Sequence, residues 1–169
     1  WPIPPLYKGG SGGVSNGFFT DTALTIPIGS VPKEVGLLLE RTKKSLEIGM
    51  NAARAGNSIA DIGKAIEKYL KPFGYGIVRA LVGHGVGYDV HEPPQIPNYY
   101  NEAFEKIKIK PGMVLALEPM VSLGSHEIET LDDGWSIIMR DRSLCAHFEH
   151  TIVTTEGDPE VVTRRPDES

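Results

Sequence analysis

The chain reads as an α+β domain, and three features of its 169 residues predict this. Apolar residues recur at helical spacing at Val35, Leu38, Leu39, Thr42, Leu46, Met50 and Ala53, and then at Ile59, Ile62, Ile66, Tyr69 and Leu70. Beyond Tyr75 the period shortens to that of strands, over Gly76–Val82, Met113–Leu117, Trp135–Arg140 and Phe148–Thr154, with Gly, Pro and Asp between them. No internal repeat accompanies either pattern.

Taken in order, the first fourteen residues differ in texture from the rest. Trp1-Pro2-Ile3-Pro4-Pro5-Leu6-Tyr7 is stiff and proline-rich, and favours polyproline II. Gly9-Gly10-Ser11-Gly12-Gly13 has the composition of a flexible spacer. Residues 1–14 therefore read as an appended peptide and linker, and residues 15–165 as the domain. Asn16-Gly17 is a hairpin-turn dipeptide, and Phe18–Ile28 is aromatic and β-branched enough for a strand. Pro32 suits the first turn of a helix, which Gly56-Asn57 ends. Ser58 and Asp61 have the spacing of a capping box opening the second helix, closed by Pro72 and Gly74.

The length fits one domain with a sizeable core. With 40% apolar and 23% charged residues, disordered and membrane classes are excluded. A net charge of −5 without any basic run argues against a nucleic-acid partner. The single cysteine, Cys145, rules out an internal disulfide framework and fits a reducing, cytoplasmic setting as a buried strand thiol. There is neither a signal peptide nor an initiator Met, so the start is expected to be processed or engineered.

Four strand-like segments carry a polar group inside an apolar stretch: Asp21, His84, Glu118 and Glu149. A lone buried carboxylate costs several kcal/mol, so three of them with one imidazole point to a shared cation. Carboxylate and imidazole ligands suit Mn, Fe, Co or Zn rather than a thiolate-type site.

Gly83-His84-Gly85-Val86-Gly87, His91-Glu92-Pro93-Pro94-Gln95, Leu117-Glu118-Pro119-Met120 and Phe148-Glu149-His150-Thr151 stand in an order that resembles the methionine aminopeptidases, from about Asn16 to about Thr163. The resemblance implies half of a pita-bread fold, a curved antiparallel sheet covered by two helices. It also implies removal of N-terminal methionine from peptides and nascent proteins. Asp21 resembles a metal-bridging aspartate, His84 the histidine ligand, Glu118 a ligand and general base, and Glu149 a second bridging carboxylate. His91 resembles the histidine that contacts the scissile amide. Trp135 and His147 stand at substrate-pocket positions, His147 where many relatives have Gln.

The resemblance also implies departures. The family's first aspartate falls at Gly10, so one metal of an original two is expected to remain. The N-terminal half of the fold is expected to be absent. Activity is therefore expected to be impaired, and self-association, or a partner carrying the missing half, is expected. Two other readings stand beside this one. A proline peptidase of the same fold suits Gly87-Tyr88-Asp89-Val90-His91-Glu92-Pro93-Pro94. A non-catalytic engineered scaffold suits Pro4-Pro5-Leu6-Tyr7, the Pro-Pro-x-Tyr pattern read by WW domains.

Overall fold

Two helices, α1 (Lys33–Ala52) and α2 (Ile59–Leu70), pack side by side across a set of short antiparallel strands. The computed structural model describes residues 6–168, side chains of 6–10 and of Asp167 excepted. Strands β1 (Leu6–Gly10), β2 (Gly13–Ser15), β3 (Phe18–Thr20) and β4 (Ala23–Pro27) precede the helices. After them come β5 (Gly76–Ile77), β6 (Gly83–Gly85), β7 (Glu92–Ile96), β8 (Val114–Leu117) and β9 (Met120–Ser122). The chain continues through β10 (Ile128–Thr130), β11 (Ile137–Met139), β12 (Cys145–His147), β13 (His150–Val153) and β14 (Glu160–Val161). The main sheet has the order β14-β13-β8-β6-β7, a smaller one β12-β9-β5, and β1–β4, β2–β3 and β10–β11 pair as two-stranded ladders.

The helices form where their apolar stripes meet this sheet. Leu38, Leu46 and Met50 of α1 and Ile59, Ile62, Ile66 and Leu70 of α2 are buried with Leu115, Leu117, Val121 and Ile152. Fully burying each such side chain contributes about 1.5–3 kcal/mol, which makes this cluster the dominant stabilising term. The capping box forms as its spacing predicts: the Asp61 carboxylate accepts from the Ser58 N–H at 2.8 Å, which holds its pKa below the ordinary value. Asn16 (φ 53°) and Gly17 (φ 83°) both take left-handed backbone in the β2–β3 turn, as the dipeptide predicts. Among the described residues no helix is long and apolar enough to cross a membrane.

The structure departs from the sequence expectation in three places. The Phe18–Ile28 segment is broken at Asp21-Thr22, because the backbone of Asp21 bonds to the Thr151 hydroxyl instead of to a neighbouring strand. The spacer composition predicts flexible backbone over Gly9–Gly13, whereas Gly9 and Gly10 pair with Leu24 and Ala23 in the β1–β4 ladder. A ladder uses only backbone N–H and C=O groups, so the lack of side chains does not prevent pairing. Trp135 lies in the β10–β11 turn, not in a strand, where the Asp133 carboxylate accepts its N–H at 2.9 Å. Trp1–Pro5, and with them half of the Pro4–Tyr7 motif, lie outside the described residues.

Candidate metal centre

Three of the four polar residues singled out in the sequence sit where strands stop. Asp21 lies between β3 and β4, Glu118 directly follows β8, and Glu149 directly precedes β13, while His84 is the centre of β6. A side chain at such a break can turn towards a common point without costing the ladder its pairing.

Asp21 is held by its backbone: its N–H donates to Thr151 Oγ1 at 2.9 Å, and that hydroxyl donates back to the Asp21 carbonyl at 2.7 Å. Its carboxylate Oδ1 accepts from the Thr22 N–H at 2.9 Å. Glu149 bridges Ala23 through both backbone groups, at 2.8 and 3.3 Å, and its carbonyl accepts from the Thr22 hydroxyl at 2.8 Å. The outcome is that ligand atoms of Asp21, His84 and Glu149 all lie within 4.8 Å of one another.

His84 is 6% exposed, and its ring is fixed by hydrogen bonding. Nδ1 lies 2.9 Å from the Gly85 carbonyl oxygen, which can only accept, so Nδ1 carries the proton. In the neutral ring Nε2 then carries a lone pair, the form a metal ligand needs. Nε2 faces Glu118 Oε1 at 3.6 Å, and Glu118 Oε2 faces His147 Nε2 at 3.4 Å. A lone pair opposite a carboxylate repels unless a cation or a second proton lies between them. Asp21, His84 and Glu149, two carboxylates and one imidazole, thus fit a divalent cation by donor type and by proximity, while Glu118 falls outside this close set and adjoins it through His84.

The glycines on either side of His84 have a packing reason. Strand β6 runs between β8 and β7, and a Cβ on Gly83 would approach Ile96 Cβ to 3.3 Å and the Ala116 carbonyl more closely still. On Gly85 a Cβ would stand 2.9 Å from the Pro93 carbonyl carbon.

The remaining sequence candidates divide. The His91 ring lies 4.3 Å, centroid to centroid, from that of His84, in a cleft of about 370 Å³ that Glu92 and Gln95 also line. His147 is buried and locked to β4, its N–H donating to Thr25 Oγ1 at 2.9 Å while that hydroxyl donates to its carbonyl at 2.8 Å. It also lines a second cavity of about 400 Å³ with Val78, Leu81, Met120, Met139 and the half-buried Cys145. Trp135 is 87% exposed and lines neither cavity. Thr22 and Thr151 position Asp21 and Glu149, Thr25 fixes His147, and sequence reasoning missed all three. Their signal is a hydroxyl at a position that an apolar strand pattern assigns to the interior.

Known proteins share both the sequence and this architecture. The profile of metallopeptidase family M24 matches residues 6–156. The methionine aminopeptidase of Borreliella burgdorferi is 47% identical over 152 residues, covering 90% of this chain and 61% of that protein. Methionine aminopeptidase 1 of Bacillus subtilis is 44% identical over 149 residues, 88% of this chain and 60% of that one. The chain thus spans about three fifths of the length of these relatives. The crystal structure of methionine aminopeptidase from Thermotoga maritima superimposes with a TM-score of 0.90 at 36% identity, covering 95% of this chain and 64% of that one. Prolidase from Pyrococcus furiosus, at 22% identity and a TM-score of 0.72, shares the fold. With a profile match over nearly its whole length and the pita-bread arrangement of its strands and helices, the chain belongs to metallopeptidase family M24.

Proposed function

We propose that this chain is the metal-carrying part of a methionine aminopeptidase, acting on the N-termini of peptides and nascent proteins in the cytoplasm. Membership of a metallopeptidase family implies divalent-metal use. The observation that carries the proposal is the convergence of Asp21, His84 and Glu149, with Glu118 facing His84. These four would hold one ion of Co, Mn, Fe or Zn. Gly10, where the resemblance places a further aspartate, offers no side chain, so a second ion would be weakly held.

A divalent cation supplies Lewis acidity towards water and the scissile carbonyl. Glu118, whose two oxygens face His84 and His147, takes a proton from the attacking water and passes it to the departing amine. His91, which lines the same cleft as His84, donates to the oxygen that gains charge as the carbonyl is attacked. The 400 Å³ cavity beside His147 is mainly apolar, with Arg142 and Ser143 also in its lining, contains Met120 and Met139, and lies within the usual range of ligand pockets, about 300–1,000 Å³. An unbranched thioether side chain suits such a lining. Trp135 would reach a substrate only if the β10–β11 turn folds inward.

The test is release of methionine from a Met-Ala-Ser peptide by the chain loaded with Co or Mn. Weak release that is lost in Glu118→Gln supports the reading. Release that survives Glu118→Gln, or equal release by metal-stripped protein, overturns it.

A further inference from the structure

After β14 the chain turns back over the loop that carries Asp21, and an ion network around a buried carboxylate anchors it there. Glu168 has a side chain only 5% exposed. Its Oε1 accepts from Arg165 Nη2 at 2.6 Å and lies 3.2 Å from Lys43 Nζ on α1. Its Oε2 accepts from the Arg165 N–H at 3.1 Å and faces His150 Nε2 at 3.3 Å. Burial raises the carboxyl pKa, but the hydrogen bonds from Arg165 and Lys43 outweigh it and hold Glu168 at about 2. Arg165 is therefore held at two points by an ionised partner.

Its other arm reaches the metal cluster. Arg165 Nη1 lies 3.3 Å from Thr22 Oγ1, and a guanidinium has no acceptor, so Thr22 must accept. The hydroxyl proton is then left for the Glu149 carbonyl, 2.8 Å away, while the Thr22 N–H holds Asp21 Oδ1. One threonine thus ties the backbone of one candidate ligand to the carboxylate of another, and Arg165 fixes which way its hydroxyl points.

We propose that Arg165, anchored by Glu168, is a positioning residue that sets the placement of Asp21 and Glu149 through the Thr22 hydroxyl. The proposal rests on the metal-centre reading. Contacts of this kind around a metal typically change affinity by about 10–100-fold when removed. An exposed ion pair would do far less, but here the carboxylate is buried and the contact is charge-assisted.

The test compares the parent protein with Thr22→Val, Thr22→Ser and Arg165→Ala. Three readouts apply: Co(II) affinity by calorimetry, the visible spectrum of the Co(II) form, and melting of the metal-free protein. Thr22→Val and Arg165→Ala are expected to weaken Co(II) binding about tenfold or more and to alter its spectrum. Thr22→Ser, which keeps the hydroxyl, is expected to restore both, and metal-free Thr22→Val to melt close to the parent. Unchanged affinity and spectrum in Thr22→Val and Arg165→Ala overturn the proposal. If the parent takes up no Co(II), the metal reading fails, and amide exchange decides the positioning claim by itself. Faster exchange at the Asp21 and Glu149 amides in Arg165→Ala then supports it, and unchanged exchange overturns it.

Discussion

Replacing Gly85 by alanine is expected to damage the metal site more than the fold, and the size of the effect follows from the packing of β6. The new Cβ would stand 2.9 Å from the Pro93 carbonyl carbon and closer still to its oxygen, where ordinary contact begins at 3.4 Å. The backbone must therefore shift by well over 0.5 Å. Strand β6 is bonded to β8 on one side and β7 on the other, so the strain passes to its middle residue, His84. Overpacking of this kind costs about 1–3 kcal/mol of stability. Displacing a ligand by a sizeable fraction of an ångström should also weaken Co(II) binding by about tenfold or more. Gly76→Ala is the control, because its Cβ would meet the Gly124 carbonyl oxygen at 2.5 Å in the smaller sheet, outside the metal cluster. Urea midpoints and Co(II) titrations on both variants check the reasoning. Both should lose stability, and only Gly85→Ala should lose affinity. Equal loss of affinity in the two variants, or none in Gly85→Ala, would refute the link between β6 packing and the site.

Further expectations follow from single residues. His91→Ala should lower methionine release by about 100-fold or more while leaving Co(II) affinity nearly intact, since it removes a donor to the developing charge and not a ligand; a kcat equal to the parent's would exclude that role. The folded-state pKa of Glu168, about 2, lies below its ordinary 4.5, so its contribution is present above pH 4.5 and is lost as pH falls towards 2. At about 1.4 kcal/mol per unit, this is on the order of 3 kcal/mol. Glu168→Gln should therefore reduce stability at pH 7 and flatten the acid limb of a pH–stability curve. Gly36→Ala, in α1 with open space around the new methyl, should raise stability by about 0.5–1 kcal/mol, measured by thermal melting.

Much of this architecture was legible because its signals are local. The helix stripes from Val35 and Ile59, the Ser58–Asp61 box and the Asn16-Gly17 turn depend on residues within a few positions of one another, and each appears in the structure. The four polar interruptions were legible because burying them without a partner is costly. What sequence could not place was their geometry: Asp21 and Glu149 meet across 128 residues of chain, through Thr22 and Ala23, by backbone bonds that leave no compositional trace. The pairing of β1 was hidden for the opposite reason, since Gly9 and Gly10 lack the side chains from which strand signals are read. Trp135, expected in a strand, lies in the β10–β11 turn and is 87% exposed, since its aromatic, β-branched surroundings carry no sign of where the turn ends.

Crystals grown with Mn(II) and measured at wavelengths on either side of the manganese absorption edge test the central claim most directly. The account predicts one strong anomalous peak among Asp21, His84, Glu118 and Glu149, absent from crystals of Glu149→Gln, with at most a faint second peak towards Gly10. Two peaks of equal strength, or none within reach of these four side chains, would contradict it.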